Sequence, residues 1–498
     1  MKSRRLLPIL LIALAALLVG ACGKGPLVPD APKGPAQWLS NIAMTCTTST
    51  TDPSGAQVSY QFDWGDGSEK PQWSQFMAGG VAFKDSHSYT DIGSFNIRAR
   101  AKNSKKASGW SAPLSVNIVA EGKVVWSVFF TDPFETEEPD TADFTVNSFA
   151  IGPDNTAYIA SSYVGAVLAC RPSGVIAWKF YTLDPFTDEF FAAPVVADDG
   201  TIIVGCSNEF IYAFNSDGTV KWADSVGSQV YATGALGADG TSYFQTADST
   251  VIALRSDGTQ LWEFFTEGGN AAPVVGTDGT VYAVNQNGTV YALDPSTGGQ
   301  KWSSTIVGKP VTAPPAIDPS RNVLYVVDNE TGVLQSVNLA DGTGGSLQYN
   351  AGTDASGPVV GADGTIYVGG DGKLTAVQPD GTAKWVFTPA MTGTVSTPAI
   401  TVDGYVYVLV VPGKKRLAVQ GTDSLYAVNP DGTRRWACGL GEGSSDPEYP
   451  LSAPKIDASG LIYVGNGTRA WCVAGMSAPA QSIWPMFQRD AQNTGRAR

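Results

Sequence analysis

The sequence predicts an all-β protein, and three observations lead to that fold class. Apolar runs along the 498-residue chain are short, alternating or β-branched, and each is bounded by turn residues, which favours strands over helices. Glycine and proline are abundant, with 56 and 31 residues, as a chain with many tight turns requires. A cassette of about forty residues also recurs along most of the chain, which indicates a repeat architecture.

The repeated cassette predicts a β-propeller. Its clearest copy reads AAPVVGTDGTVYAVNQNGTVYALDPSTGGQKW and runs from Ala271 to Trp302. Four strand-like runs per copy describe a small antiparallel sheet, and such sheets bury their faces against one another in a ring. Eight copies can be counted, and the run Val124–Val128 is placed to complete the last sheet, which leaves no long unpaired edge. We therefore expect eight blades, or seven if one copy is decorative.

A tryptophan follows the third strand in most copies. It could serve ligand stacking or packing, and its recurrence at a fixed position favours packing between neighbouring blades. The fifth copy lacks this tryptophan and offers Leu347 and Tyr349 instead. The tryptophans are Trp178, Trp222, Trp262, Trp302, Trp385 and Trp436.

The first 22 residues predict an export signal. A positively charged start precedes an apolar run from Leu6 to Leu18, which is short for a membrane-spanning helix of about 20 residues. The run Leu18-Val19-Gly20-Ala21-Cys22 resembles the bacterial lipobox, and this resemblance implies that Cys22 is lipidated and becomes the new N-terminus. The alternative is an ordinary signal peptide with a cysteine by chance. Residues 23–36 are rich in proline and glycine and predict a flexible tether.

The expected location follows from the lipobox. Gly23 stands after the cysteine, where an aspartate is associated with retention in the inner membrane of some bacteria. We therefore expect a protein of the cell envelope whose lipid holds it in the outer membrane, with the side of that membrane left open.

Residues 37–120 predict a separate domain. The run Phe62-Asp63-Trp64-Gly65-Asp66-Gly67, followed by His87-Ser88-Tyr89, resembles the hallmark of PKD-type immunoglobulin-like domains. The resemblance implies a β-sandwich that acts as a spacer or adhesion module. Asp63, Asp66 and His87 could form a cation or catalytic site, but short polar residues of this kind more often cap and brace turns.

Charge and cysteine content exclude several functions. A formal net charge of −14 argues against a nucleic-acid partner, and a single histidine, His87, argues against most catalytic triads and histidine metal clusters. With Cys22 lipidated, five of the six cysteines remain, so at least one is unpaired. Neighbouring blades could bring Cys170 close to Cys206, or Cys438 close to Cys472. No cofactor or metal is expected.

The repeat region resembles the PQQ-like, or quinoprotein, β-propellers. The resemblance rests on the run Tyr291–Trp302 (YALDPSTGGQKW) and covers residues 123–484. That family includes quinone-dependent alcohol dehydrogenases, which use a disulfide of adjacent cysteines, a calcium ion and an aspartate base, and this sequence has no Cys-Cys pair. Other branches are non-catalytic, including an outer-membrane lipoprotein that helps to assemble barrel proteins. The tail Trp484–Gly495 also resembles a segment that flanks such repeats, and we expect it to form a latch across the ring.

Four insertions interrupt the repeat, at 129–144, 180–191, 410–423 and 439–450, and they belong to blades 1, 2, 7 and 8, respectively. Exposed aromatic residues among charges can mark an interface, whereas the alternative is solvated loops whose aromatics pack onto the rim. The carboxylates match no calcium-loop spacing. The candidate binding residues are Phe134, Glu137, Glu138, Asp140, Phe186, Asp188, Glu189, Lys414, Lys415 and Arg416.

These patterns lead to one expected function and one alternative. We expect residues 121–498 to form a propeller with a C-terminal latch, in a lipid-anchored binding or scaffold protein that is not an enzyme. Its partners would be the membrane, through Cys22, and a protein or glycan at one propeller face. The alternative is an enzyme acting in the propeller funnel, either quinone-dependent or active on polysaccharides.

Overall fold

The described part of the chain consists of strands, turns and loops. The computed structural model describes residues 25–35, 37–40, 43–129, 146–161, 165–184, 187–269, 271–305, 309–412, 422–441, 452–466, 469–475, 477–480, 484–490 and 492–497. The chain divides into two compact units between Glu121 and Gly122. Among the described residues, no helix has the length and apolar character needed to cross a membrane.

The first unit contains two sheets with a shared core. Its strands are β1 (Gln37–Leu39), β2 (Ala43–Thr48), β3 (Ser59–Asp63), β4 (Phe83–Ser88), β5 (Gly93–Lys102) and β6 (Leu114–Val119). One sheet has the order β1-β6-β5-β3, and the other pairs β2 with β4. Met44 and Cys46 of the small sheet are buried against Phe62 and Ile97 of the large one. Every second residue in the C-terminal part of β5 faces the core, since Ile97, Ala99 and Ala101 are fully buried.

The polar residues singled out in the first unit brace a turn. The Nε2 atom of His87 lies 2.6 Å from Oδ2 of Asp66, and its ring stacks on Trp64 with centroids 5.1 Å apart. Asp66 also accepts the backbone N–H of Ser68 at 3.0 Å. Burial raises the pKa of Asp66, but hydrogen bonds from Ser68 and His87 outweigh burial and hold that pKa below its usual range. These contacts favour a structural role for the group.

The segment expected to be a flexible tether is extended but bonded to the first unit. Backbone N–H groups of Leu27 and Asp30 donate to the carbonyls of Thr51 and Ser49, at 3.0 and 3.1 Å. Lys33 continues this pattern by pairing with Thr47. The described residues 25–35 therefore follow β2 and its extension, because polar backbone beside an open strand edge finds partners there.

The described strands of the second unit form eight successive sheets, named sheets 1 to 8 here. Sheet 1 comprises β8 (Val146–Ile151), β9 (Ala157–Ser161), β10 (Ala166–Cys170) and β11 (Ile176–Tyr181), and sheet 2 comprises β12 (Val195–Val196), β13 (Ile202–Gly205), β14 (Phe210–Phe214) and β15 (Val220–Ser225). Sheet 3 comprises β16 (Ala235–Leu236), β17 (Ser242–Gln245), β18 (Thr250–Leu254) and β19 (Gln260–Phe265), and sheet 4 comprises β20 (Val274–Val275), β21 (Val281–Val284), β22 (Thr289–Leu293) and β23 (Gln300–Thr305).

Sheet 8 takes its outer strand, β7 (Val124–Phe129), from the start of the unit. Sheet 5 comprises β24 (Ala316–Asp318), β25 (Val323–Val327), β26 (Val333–Asn338) and β27 (Gly344–Asn350), and sheet 6 comprises β28 (Val359–Val360), β29 (Ile366–Gly370), β30 (Lys373–Val377) and β31 (Ala383–Phe387). Sheet 7 comprises β32 (Gly393–Val395), β33 (Ala399–Ile400), β34 (Val406–Pro412), β35 (Ser424–Val428) and β36 (Arg434–Gly439). Sheet 8 comprises β37 (Lys455–Ile456), β38 (Leu461–Asn466) and β39 (Arg469–Ala474), and β7 pairs antiparallel to β39.

The outer-strand tryptophans connect neighbouring sheets, as the repeat pattern predicts. The Nε1 of Trp178 in sheet 1 donates to the carbonyl of Ser216 in sheet 2 at 3.0 Å. Its ring lies against Gly218, whose φ of 88° is left-handed, and an added Cβ would be only 2.6 Å from the indole. Glycine is required at such a turn because it combines positive φ with close approach. Corresponding pairs are Trp222 with Gly258, Trp262 with Gly298, Trp302 with Gly342, Trp385 with Gly432, and Trp436 with Gly122.

The described cysteines form no disulfide. All five are free and buried, namely Cys46, Cys170, Cys206, Cys438 and Cys472. The two pairings left open by the sequence are therefore absent, and burial raises the pKa of the thiols, of Cys170 and Cys206 to about 12. A buried thiol with a raised pKa acts as a small apolar side chain.

Candidate functional site

The centre of the second unit contains a cavity of about 360 Å³ that we call the funnel. Each of sheets 2 to 8 contributes the small residue that stands two positions before its inner strand. Small side chains at these positions keep the middle of the ring open. They are Ala193, Thr233, Ala272, Pro314, Gly357, Thr397 and Ala453.

Hydroxyl groups of this ring connect neighbouring sheets. The Oγ1 of Thr233 accepts the backbone N–H of Ala193 at 3.0 Å, and the Oγ1 of Thr397 accepts that of Gly357 at 3.1 Å. Asn329 extends the network, because its Nδ2 donates to the carbonyl of Ala355 at 2.7 Å. Apart from the exposed Asp354, the described lining is neutral, and its hydrogen bonds fix its shape before any ligand arrives.

Three aromatic side chains line the funnel. Phe191 and Tyr231 meet edge to face, with ring centroids 5.2 Å apart, and both are half-buried. Phe487 lines the same cavity from the C-terminal tail. Burial, together with the nearby Glu189 carboxylate, raises the pKa of Tyr231. Half-buried aromatics of this kind offer a large contact area to a partner.

The C-terminal tail, residues 484–497, lies across the inner strands. Its backbone accepts hydrogen bonds from Val360, Ile400, Val196, Leu236 and Val275, which belong to sheets 6, 7, 2, 3 and 4. The side chain of Asn493 connects the tail to sheet 1, since its Nδ2 donates to the carbonyl of Phe149 at 2.8 Å. One segment thereby holds six sheets together, and its Phe487 lines the funnel.

Sheet 8 contacts the tail through a buried lysine. Lys455 occupies the position of Val195 and Val274 in other inner strands, and it is fully buried. Its Nζ donates to the carbonyls of Phe487 and Asp490, at 2.5 and 3.0 Å. Burial lowers the pKa of Lys455 to about 7, although the Asp490 carboxylate opposes the shift. An ammonium this buried holds the tail in place and is not available to a ligand.

Two of the ten candidate binding residues lie in the described part of the chain. Asp188 accepts a hydrogen bond from Nδ2 of Asn208 at 2.9 Å, and the backbone N–H of Glu189 donates to Oγ of Ser207 at 2.7 Å. Burial raises the pKa of Glu189. The loop is thus attached to the β13–β14 turn, and the Glu189 carboxylate is close enough to Tyr231 of the funnel to affect its pKa. Outside the described residues lie Cys22, Phe134, Glu137, Glu138, Asp140, Phe186, Lys414, Lys415 and Arg416.

The sequence reasoning missed the funnel residues. Their signal was present, because a small residue precedes the proline before most inner strands, as in Ala193-Pro194 and Thr397-Pro398. In the sequence, that element reads only as part of the repeat. A one-dimensional pattern does not show that these positions converge on one axis.

The lining does not match the quinone chemistry that the family resemblance raised. The described cysteines are free, so the adjacent-cysteine disulfide has no counterpart among them. Within the described ranges, no three histidine, cysteine, aspartate or glutamate side chains are grouped to hold a metal ion. The described funnel lining has one charged residue, the exposed Asp354. The funnel therefore offers a ligand a cavity of fixed shape and mostly uncharged polar groups.

Comparison with known proteins supports this fold. A family model described as "Outer membrane protein assembly factor BamB" matches residues 114–310 and 247–345. BamB from Moraxella catarrhalis is 16% identical, and the match covers 70% of this chain and 98% of that chain with a TM-score of 0.53. No curated protein matches the sequence.

Two further solved structures share the architecture. The Dos1 propeller is 10% identical, with 73% of this chain and 98% of that chain covered and a TM-score of 0.56. The computationally designed Ika8 protein is 12% identical, with 67% and 96% covered and a TM-score of 0.54. Identities this low support the fold alone. The second unit of this chain has a β-propeller fold, and part of it is similar to the PQQ-like repeat family.

Proposed function

We propose that this protein is a lipid-anchored scaffold of the cell envelope, which binds a protein partner at the funnel of an eight-bladed propeller. The funnel carries the proposal. It is a preformed cavity whose described lining is neutral apart from Asp354, and it contains half-buried aromatic residues, one of which, Phe487, comes from the tail. Such a cavity suits one or two apolar side chains of a partner better than it suits a reaction.

The pairing pattern supports eight blades over seven. Each of the eight repeat copies has a sheet of its own, and β7 completes sheet 8. The contact of Trp436 with Gly122 joins sheets 7 and 8, and that of Trp126 with Gly174 joins sheets 8 and 1. A seven-bladed ring would leave one sheet outside this series of contacts. The first unit, with its two sheets, would be the PKD-like spacer.

The scaffold assignment draws on the matching family model, whose description names an assembly factor of the outer membrane. The proposed anchor rests on the lipobox-like run that ends at Cys22. Replacing Cys22 by Ala should move the protein from the membrane fraction to the soluble fraction. Unchanged fractionation would overturn the anchor but leave the funnel proposal open to its own test.

The funnel proposal can be tested by photocrosslinking in the native envelope. A photoreactive phenylalanine at position 231 should give one major crosslinked protein, because the side chain faces the cavity. The matched control is the same residue at position 220, where an exposed valine lies on an outer strand. Identical crosslinking patterns from both positions would contradict a binding site at the funnel.

A glycan is the second candidate ligand, because the edge-to-face pair of Phe191 and Tyr231 presents aromatic surface beside hydroxyl groups. Calorimetry with envelope oligosaccharides distinguishes the two. Binding that disappears in Tyr231→Ser, without any crosslinked protein, would favour the glycan.

A further inference from the structure

One exposed face of the first unit carries alternating cations and tryptophans. Lys102 lies over the ring of Trp73 at 4.5 Å, and Arg100 lies over the same ring at 5.2 Å. Arg100 is also 4.5 Å from the centroid of Trp110. Arg98 and Lys70 approach Trp110 at 5.9 and 5.5 Å. We call these six residues the cation–tryptophan ladder.

The ladder follows from the strand alternation of β5. Arg98 and Arg100 alternate with Ile97 and Ala99, which are fully buried, so the charged side chains point away from the core. Cation–π attraction lets several like charges lie close together at about 0.5–1 kcal/mol for each exposed contact. The tryptophan faces are covered by these cations, which leaves little ring surface for stacking a sugar.

The ladder is net positive. Among the described residues, one carboxylate pairs with its cations, that of Asp63, at 3.3 Å from Arg98 and 3.7 Å from Lys70. Arg100 is held by a neutral partner, with Nε donating to Oε1 of Gln61 at 2.9 Å. The rest of the chain has the opposite charge, since residues 122–498 hold 38 of the 46 acidic and only 20 of the 32 basic residues.

The N-terminal segment enters the first unit at one end of the ladder. Gly25 lies against Lys106, such that an added Cβ would be 3.3 Å from the lysine side chain. The loop of Lys106 begins at Lys102, which forms a bridge with Ala107. Gly25 stands three positions after Cys22, a reach of at most about 11 Å. An acyl group on Cys22 would therefore hold the Lys102 end of the ladder close to the headgroups.

We propose that the cation–tryptophan ladder docks the first unit onto anionic phospholipid headgroups. The proposal rests on the lipid anchor proposed above for the orientation of the unit, and it adds a second, electrostatic attachment to the acyl chains. Basic side chains near an anionic membrane surface contribute about 1 kcal/mol each, a factor of about five in binding. Lys105 and Lys106, both exposed, extend the positive surface toward the anchor.

The test uses the mature chain shortened by one residue so that it starts at Gly23, without Cys22 and its acyl group, and only the protein surface can bind. The protein is sedimented with phosphatidylcholine vesicles, with and without phosphatidylglycerol. We expect binding only to the anionic vesicles and a decline with added salt. The variant Arg98→Gln with Lys102→Gln should bind about 25-fold more weakly, at about fivefold for each cation.

A matched control variant has the same total charge as the ladder variant but loses its two cations elsewhere. Lys33→Gln with Lys84→Gln removes two cations beside Thr47, on the other sheet, and should bind like the unmodified protein. If Arg98→Gln with Lys102→Gln lowers the unfolding midpoint, the more exposed pair Lys70→Gln with Lys102→Gln takes its place. Equal weakening by ladder and control variants, or equal binding to both kinds of vesicle, would overturn the proposal.

Two outcomes separate this inference from the proposed anchor. Release of Cys22→Ala from membranes, with no binding of the mature chain to anionic vesicles, would leave the anchor intact and overturn the ladder. Binding to a soluble anionic polysaccharide in preference to phosphatidylglycerol vesicles would also overturn it, because the surface would then recognise a different polyanion.

Discussion

The indole of Trp126 lies against Gly174, and its Nε1 donates a hydrogen bond to the carbonyl of Pro172 at 2.8 Å. Trp126 stands on β7, which precedes every repeat copy, whereas Gly174 lies in the turn between β10 and β11 of sheet 1. This contact therefore joins sheet 8 to sheet 1, where strands from the two ends of the unit meet.

Replacing Gly174 by Ala should destabilise the propeller by about 2–4 kcal/mol, because an added Cβ would be 2.9 Å from the indole at a φ of 82°. Gly200 is a matched control, with a φ of 83° and no atom within 4 Å of an added Cβ. Its replacement by Ala should cost about 1 kcal/mol from backbone strain alone. Urea denaturation measures both, and equal losses would mean that the contact of Trp126 contributes nothing.

The buried Lys455 should make stability depend on pH. Burial lowers its pKa to about 7, whereas an unfolded lysine titrates near 10.4, so the unfolded state binds more protons between these values. Stability should rise with pH across that window, by at most about 1.4 kcal/mol per pH unit. In Lys455→Met this contribution is lost, and the stability difference between the variant and the unmodified protein should change between pH 7 and 8.5.

Lys373→Met, at an exposed position on β30, is the control for that measurement. Its stability should follow that of the unmodified protein at every pH. A constant difference between Lys455→Met and the unmodified protein would show that Lys455 remains protonated throughout the window. The tail would then be held by a permanent ammonium group.

Asp423 should have the opposite effect at lower pH. Its side chain is 3% exposed, its Oδ2 has no hydrogen-bond partner among the described residues, and burial raises its pKa to about 7. The folded state then binds more protons than the unfolded state from about pH 4 to 7, so stability falls as pH rises through that range. Asp423→Asn should remove this fall, as measured by urea midpoints at pH 5 and 7.

The exposed Asp403, in the same sheet, provides the comparison. Asp403→Asn should keep the pH dependence of the unmodified protein. If Asp423→Asn also keeps it, Asp423 is ionised in the folded state and has found a partner outside the described residues.

Features that depend on local pattern could be predicted from the sequence. Asp-Gly turns and the recurring tryptophans follow from a few neighbouring residues, which is why the contact of Trp178 with Gly218 matches the repeat. The funnel and the course of the tail arise only when the sheets converge. Nothing near Asn493 in the sequence indicates a bond to Phe149, 344 positions away.

Two other features were missed for physical reasons. Proline and glycine in residues 23–36 indicated flexibility, but composition does not show that an open strand edge lies beside the segment. The lysine at position 455, where other copies have Val195 or Val274, was visible in the repeat. Its role became interpretable only once the carbonyls of Phe487 and Asp490 were located around its ammonium group.

The central claim is that a partner binds at the funnel through Phe191 and Tyr231. The most direct measurement is the affinity of the partner, identified by crosslinking at position 231, for a double variant in which both residues are serine. We predict a loss of at least about 30-fold, about 2 kcal/mol, because aromatic anchors dominate such interfaces, and no loss for Val220→Ser. Equal affinity of the double variant and the unmodified protein would contradict the account.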